Sequence, residues 1–186
     1  MKTENMIAML IDADNVSYRN IKDMTDELAR FGNLTIKRIY GDFTKSSMNG
    51  WKDVLLENAI SPIQQYNYTT GKNATDSSMI VDAMDILYFN QVDIFCQVSS
   101  DSDFTRLAMR LREAGKEVIG MGMKKTPQPF IAACNKFVYI EVISHSLESG
   151  QVKEVSPESA SIVEKESVSP LKEGIQQQIE YVPEYN

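Results

Sequence analysis

Five aspartates stand where carboxylates can do chemistry. Asp12 ends the apolar run MIAMLI, and Asp14 follows it two residues later. Asp101 and Asp103 follow a second apolar run, DIFCQV, within SSDSD, and Asp76 lies in the polar segment NATDSS. Carboxylates that cluster in a low-dielectric cleft repel each other unless a partner compensates their charge. Mg²⁺ or Mn²⁺ removes that conflict, because these cations prefer oxygen ligands and keep waters that can attack a phosphodiester.

The hydrophobic pattern predicts the elements that position these side chains. Short buried runs alternate with longer amphipathic stretches, which is typical of repeated βαβ units. We therefore expect a three-layer α/β/α fold with a central, mainly parallel sheet of about five or six strands. The predicted strands are 6–11, 34–43, 63–66, 92–100 and 116–121, with an edge strand over 137–143. The predicted helices are 21–31, 49–58, 76–89, 104–114 and a short one over 129–135.

In such sheets, ligands bind beyond the carboxyl ends of the strands, where the strand order reverses. The first and fourth strands are neighbours at that point in most doubly wound orders, so Asp12 and Asp101 are expected to face one crevice, with Asp76 leaning over it. Helix capping is the plainer explanation, and taken alone Asp76, Asp103 and Asn15 each fit it equally well. Capping does not explain an aspartate that ends a wholly apolar strand, so a metal site is the preferred interpretation.

Composition excludes several other kinds of site. His145 is the one histidine, which excludes most chemistry built on histidine, including Ser-His-Asp triads and His-rich metal sites. Cys96 and Cys134 lack CxxC spacing and are predicted to be buried free thiols. The sequence shows neither a signal-peptide pattern nor an apolar stretch of about 18 residues, so a soluble cytoplasmic protein without a membrane partner is expected.

A change in composition near residue 148 predicts the domain boundary. A catalytic domain is expected over 1–146, and a disordered acidic tail rich in Ser, Glu, Gln and Pro over 147–186. Residues 1–150 contain 16 Lys and Arg against 19 Asp and Glu, and residues 151–186 contain 3 against 7. The domain is thus near neutral, and the net charge of -7 does not exclude a nucleic acid partner.

Four segments in this order resemble the NYN domain, a branch of PIN-like ribonucleases: MLIDADNV, GKNATDSSMIVDAMD, QVSSDSDFTRLAMRLREAG and KKTPQPFIAACNKFVYIE. The resemblance covers about residues 5–142 and favours the LabA-like branch. It implies the same three-layer fold, Mg²⁺ or Mn²⁺ as cofactor, and cleavage of RNA, with an endoribonuclease favoured. The residues that match the acidic quartet of the family are Asp12, Asp76, Asp101 and Asp103, and Asn15 matches its polar helper.

The resemblance also implies a division of roles. Asp12 and Asp101 would hold the metal directly, and Asp76 and Asp103 would hold it through waters. Asn15 would donate a hydrogen bond to a phosphate oxygen.

Lysines beside the acidic segments are candidates for binding the backbone of single-stranded RNA. Lys72 lies in the loop before Asp76 and is placed to meet the phosphates. Lys124 and Lys125 are further candidates, which a solvated basic loop explains equally well. A homodimer is compatible with the sequence, which does not determine the oligomeric state.

Two other functions fit part of the pattern. Asp12 and Asp14 resemble the nucleophile and acid of haloacid dehalogenase phosphatases, although Val16 stands where that motif usually has Thr and no convincing Lys completes it. The second alternative is a non-catalytic RNA-binding module of the same fold, against which the intact acidic quartet argues.

Overall fold

The computed structural model describes residues 4–66 and 74–148. The described residues all belong to the first of the two units into which the chain divides, Met1–Glu154. The strands are β1 (Met6–Asp12), β2 (Asn33–Gly41), β3 (Ser61–Gln64), β4 (Ile94–Val98), β5 (Glu117–Gly122) and β6 (Lys136–Tyr139). The α-helices are α1 (Ile21–Leu28), α2 (Trp51–Glu57), α3 (Ala74–Phe89), α4 (Thr105–Glu113), α5 (Gln128–Ala133) and α6 (Ile140–Glu148). The predicted tail lies almost wholly outside the described residues.

The strands form one parallel sheet in the order β3-β2-β1-β4-β5-β6. The order reverses between β1 and β4, which pair directly, with Ile11 opposite Val98. The carboxyl ends of these two strands therefore form the crevice that the sequence predicted. A six-stranded parallel sheet with helices on both faces confirms the three-layer α/β/α fold.

The central strand β1 is buried on both faces, which explains its uninterrupted apolar run. Met9 and Ile11 point into a core that includes side chains of α1, α2 and α6. Ala8 and Leu10 point into the opposite core, which α3, α4 and α5 complete. Asp12 continues the second alternation, so its side chain points to the α3 and α4 side of the sheet.

The prediction of a strand over 137–143 is wrong in its second half, because β6 ends at Tyr139 and α6 begins at Ile140. Ile140 is buried and Ile143 is half-buried, at the three-residue spacing of a helix face packed on the core. The hydroxyl of Ser144 donates to the carbonyl of Ile140 at 2.9 Å, which is a helical contact. A short apolar run does not distinguish a strand from a buried helix by periodicity alone.

Two further expectations concern the described residues. Cys96 and Cys134 are both buried free thiols, as predicted. Within residues 4–66 and 74–148, no helix has the length and apolar character needed to cross a membrane.

Candidate metal centre

Asp12 lies at the carboxyl end of β1 with only 1% of its surface exposed. Its Oδ2 accepts hydrogen bonds from the Asn15 amide at 2.5 Å and from the Ser99 hydroxyl at 2.9 Å. Its Oδ1 accepts one from the backbone N–H of Asp14 at 3.1 Å. Burial raises the pKa of Asp12, and the three hydrogen bonds oppose that rise. In the described part of the chain, no Lys or Arg forms an ion pair with this carboxylate.

Ser99, which directly follows β4, connects Asp12 to the second acidic segment. Its hydroxyl donates to Asp12 and also accepts the backbone N–H of Asp101 at 3.1 Å. Sequence reasoning missed this serine, although a hydroxyl between two acidic positions at a strand end was a usable signal. Ser99 therefore links the acidic segment after β1 to the acidic segment after β4 and fixes their relative position.

Asp101 is a helix cap as well as a candidate ligand. Its Oδ1 accepts the backbone N–H of Asp103 at 2.9 Å and caps the short 3₁₀ helix Ser102–Phe104. The sequence suggested capping for Asp76, Asp103 and Asn15, whereas this cap is formed by Asp101. A carboxylate offers about four lone-pair sites, so one capping bond leaves capacity for a metal ligand.

Asp76, Asp101 and Asp103 converge at the carboxyl edge of the sheet. Each offers one carboxylate oxygen, and these oxygens all lie within 4.8 Å of one another. Asp76 comes from the first turn of α3, and the other two come from the segment after β4. We name these three residues the aspartate triad. All-oxygen donors that converge in this way suit a hard divalent cation.

The aspartate triad carries unfavourable negative charge. The pKa of Asp76 is raised to about 6, first because burial disfavours its charged form and then because negative charges surround it. Among those charges Asp12 has the largest effect, followed by Asp101 and Asp103. Asp12 is not one of the three convergent carboxylates, but it lies near enough to act on them. The structure thus brings all four residues of the predicted quartet to one place.

The remaining predicted residues are more dispersed. Asn15 is half-buried and uses its amide to hold Asp12. Lys72 lies outside the described residues. Lys124 and Lys125 are exposed, and the backbone N–H of Lys124 donates to Glu141 at 2.9 Å. Among the described residues, the structure records no contact between either of these ammonium groups and the triad.

A different lysine lies beside the acidic group. The Lys45 ammonium is 3.8 Å from a carboxylate oxygen of the exposed Asp14. Asp14 is itself close enough to the triad to contribute to the raised pKa of Asp76. The segment after β2 therefore brings a cation to the margin of the site. Sequence reasoning missed Lys45 because a single lysine in a polar segment carries no pattern.

Comparison with known proteins identifies the family. The NYN domain matches residues 6–141, which include all six strands and the whole acidic group. The chain belongs to the NYN domain family. An uncharacterised protein of Methanocaldococcus jannaschii is 29% identical over 125 residues, which is 65% of this chain and 49% of that protein. This NYN chain therefore spans about half the length of that relative.

A solved structure supports the fold of this NYN domain. The crystal structure of a protein of unknown function from Vibrio parahaemolyticus is similar with a TM-score of 0.63 at 20% sequence identity. The similarity covers 75% of this chain and 95% of that one. At this level of identity the likeness shows the shared fold alone. Membership of the LabA-like branch stays a prediction.

Proposed function

We propose that this NYN protein is a metal-dependent ribonuclease that hydrolyses phosphodiester bonds of single-stranded RNA. The observation that carries the proposal is the aspartate triad, whose oxygens converge beside buried Asp12 at the switch point of the sheet. This is the place where open α/β sheets bind their ligands. Membership of the NYN family supports the same chemistry.

Mg²⁺ or Mn²⁺ is the proposed cofactor, because the donor set fits such an ion. The four candidate ligands are carboxylates, and none is a histidine or a cysteine. Their mutual repulsion, visible in the raised pKa of Asp76, is the conflict that a bound cation relieves. When bound, the cation would supply an activated water and neutralise negative charge on the phosphate.

The residues of the chain would hold and orient this centre. Convergence makes Asp76 and Asp103 candidates for direct contact beside Asp101. This replaces the water-mediated contact that the family resemblance implies for Asp76 and Asp103. Ser99 positions Asp12 and Asp101 together through its two hydrogen bonds. Asn15 has a second amide proton with which to meet a phosphate oxygen.

The first test is cleavage by the purified full chain. With Mn²⁺ it should degrade single-stranded RNA, EDTA should stop the reaction, and a circular RNA should be opened if the action is endonucleolytic. Asp101→Asn should lower turnover by more than about a hundredfold, the most that loss of an outer-shell partner of a metal usually costs. Asp26→Asn on α1 removes the same charge from an exposed position and serves as the control. Full activity of both Asp12→Asn and Asp101→Asn would defeat the proposal.

The same samples separate the alternative functions. A phosphatase would form phospho-Asp12, which aluminium or beryllium fluoride would mimic. Burial of Asp12 behind three hydrogen bonds disfavours that nucleophile. A non-catalytic module would bind RNA and leave it intact with either metal.

A further inference from the structure

The outer side of α3 and α4 carries exposed apolar side chains. Val81, Tyr88 and Phe89 on α3 expose 61%, 64% and 83% of their surface, and Met109 on α4 exposes 43%. Exposed charged residues beside them include Asp85, Arg106 and Arg110. These seven residues are named the α3–α4 patch.

The two helices of the patch are joined by a side-chain contact. Val81, Asp85 and Tyr88 are spaced four and three residues apart, so they share a face of α3. Met109 and Arg110 lie on the exposed side of α4. The Arg110 guanidinium donates to the Tyr88 hydroxyl at 2.8 Å and connects the two helices. Single exposed apolar residues are ordinary, but a contiguous group of this kind marks an interaction surface.

Helix α3 is more apolar than its place in the monomer requires. Met79, Ala83 and Ile86 bury its inner face in the core. Its outer face nevertheless carries Val81 and Tyr88, where a surface helix usually carries charges. A helix that is apolar on both sides is normally covered on both sides. Within residues 4–66 and 74–148, nothing covers the outer face of α3.

We propose that the α3–α4 patch is the surface through which two copies of this chain associate. A two-fold interface brings the same surface together from both copies, so the surface must complement itself. The patch meets this condition, because α3 contributes the acidic Asp85 and α4 contributes the basic Arg106 and Arg110. A two-fold rotation can place the acid of one copy opposite an arginine of the other. An RNA partner is less suitable, because its phosphates would meet the Asp85 carboxylate and the aliphatic Val81 in the middle of the surface.

Two aromatic side chains supply the first part of the area that a dimer needs. An aromatic side chain presents about 150–250 Å², so the exposed parts of Tyr88 and Phe89 amount to about 300 Å² in each copy. Val81, Met109 and the arginine stems extend this surface toward the total of about 1,200–2,000 Å² that specific interfaces bury. Tyr, Phe, Met and Arg are also the residue types enriched in interfaces.

The association is independent of the proposed nuclease activity. Tyr88 lies twelve residues after Asp76 on α3, about 18 Å along the helix axis. Both helices begin at the carboxyl edge of the sheet, so Tyr88 and Phe89, near the end of α3, lie away from the aspartate triad, and Arg106 is the patch residue nearest to it. The dimer would leave both acidic crevices open to substrate.

Sedimentation equilibrium of the full chain tests the proposal. Wild type should associate as a dimer, and Phe89→Lys should raise the dimer dissociation constant at least tenfold, because it places a charge within the buried surface. Leu56→Lys is the matched control, since Leu56 exposes 78% of its surface on α2 in the opposite helical layer. This control should dimerise like wild type. A cooperative thermal transition in both variants would show that both fold, and the melting temperature of Phe89→Lys should fall only by what the lost association accounts for.

Several outcomes overturn the proposal. A wild type that stays monomeric at all concentrations contradicts it, as does a Phe89→Lys variant that still dimerises like wild type. Equal weakening by Leu56→Lys would show that the effect is not specific to this face. A monomer that loses RNA affinity on Phe89→Lys would assign the face to nucleic acid. A monomer that dimerises only after removal of residues 149–186 would assign the face to the chain's own tail.

Discussion

At the residue scale, the acidic group combines carboxylates held by hydrogen bonds with one destabilised by its neighbours. The carboxylates of Asp12 and Asp101 each accept a backbone hydrogen bond that fixes their direction. Both residues also contact the Ser99 hydroxyl, which donates to the Asp12 carboxylate and accepts the backbone N–H of Asp101. Asp76 is half-buried among like charges, and its pKa is raised accordingly. Such an arrangement costs stability in the metal-free chain, and a bound cation would offset that cost.

Asp76→Asn is therefore expected to stabilise the metal-free protein. The pKa of Asp76 is about 6 in the folded chain, above the ordinary value of 3.8. Because this pKa is raised on folding, the contribution of Asp76 to the free energy of unfolding is fully present below pH 3.8 and is lost as the pH rises through about 6. At pH 7.5 the variant should gain about 1–2 kcal/mol, allowing for solvent screening, and the gain should shrink toward pH 4. Urea unfolding in EDTA measures this.

The control for that measurement is Asp26→Asn, which changes the same charge at an exposed position on α1. The free energy of unfolding gained by Asp76→Asn should depend on pH and exceed that gained by the control. If either condition fails, repulsion at the site is not the cause.

Lys45 is expected to contribute to RNA binding, since its ion pair with Asp14 holds an ammonium group at the margin of the site. Lys45→Gln should weaken binding of labelled single-stranded RNA several-fold. It should also make the slope of log binding constant against log salt concentration shallower by about 0.7. Fluorescence anisotropy in Ca²⁺ measures binding without requiring cleavage. Lys116→Gln, at the opposite edge of the sheet just before β5, is the matched control. Equal salt slopes for the two variants would remove Lys45 from the binding surface.

The sequence allowed the aspartates to be predicted, but not the residues that hold them. Asp12 and Asp101 follow apolar strands, and parallel strands end at one edge, so their proximity follows from topology. Ser99 and Lys45 make their contacts only in three dimensions; the position of Ser99 at a strand end before Asp101 was a usable signal, whereas nothing in the sequence identifies Lys45. Asp76 was placed at a helix start by its position before a long apolar stretch.

At the element scale, α3 is the helix that brings Asp76 to the other carboxylates, and Asp82 fastens it to the sheet. The Asp82 carboxylate accepts hydrogen bonds from the Arg38 guanidinium and the Tyr40 hydroxyl, both on β2. Burial and the Asp82 charge raise the pKa of Tyr40, which keeps its hydroxyl a donor. Asp76 and Asp82 are separated by six residues, so the anchor and the ligand lie on different sides of the helix.

Asp82→Ala should destabilise the protein by about 1–3 kcal/mol, because it leaves the partly buried guanidinium and hydroxyl without their acceptor. It should also weaken Mn²⁺ binding by releasing α3. Tyr40→Phe removes only one of the two bonds and should cost about 1 kcal/mol. Urea unfolding and calorimetric titration with Mn²⁺ give the two readouts. The anchoring role would be refuted by an Asp82→Ala variant no less stable than Tyr40→Phe.

The elements themselves differ in how far sequence predicts them. Strands buried on both faces, such as β1 and β4, appear as mainly apolar runs, and their predicted bounds lie within two residues of the observed ones. The turn from β6 into α6 was missed because alternation and helical spacing overlap over so few residues. The 3₁₀ helix before α4 was missed because the capping bond of Asp101 creates it locally.

At the scale of the whole molecule, one topological fact determines where the site lies. The sheet order reverses between β1 and β4, and the polar residues that follow these strands face a single crevice. The position of this crevice was predictable, because right-handed βαβ connections allow only a few strand orders. The exposed outer face of α3 was not predicted, because its apolar residues read as core in the sequence.

The domain boundary stays a prediction with a direct test. A chain that ends after Glu148, the last residue of α6, should unfold at the same temperature as the full chain, within about 2 °C. The NYN match ends at residue 141, and the described core draws on residues no later than Ile143. A drop in melting temperature well beyond that range would show that residues 149–186 contribute to the fold.

The most direct test of the metal centre is anomalous diffraction from a crystal of the full chain grown with Mn²⁺. We expect an anomalous peak among the carboxylate oxygens of Asp76, Asp101 and Asp103, on the side facing Asp12. The peak should disappear in Asp101→Asn crystals grown under the same conditions and persist in Asp26→Asn crystals. Wild-type crystals with no peak at the aspartate triad, at an Mn²⁺ concentration that supports RNA cleavage, would contradict the account.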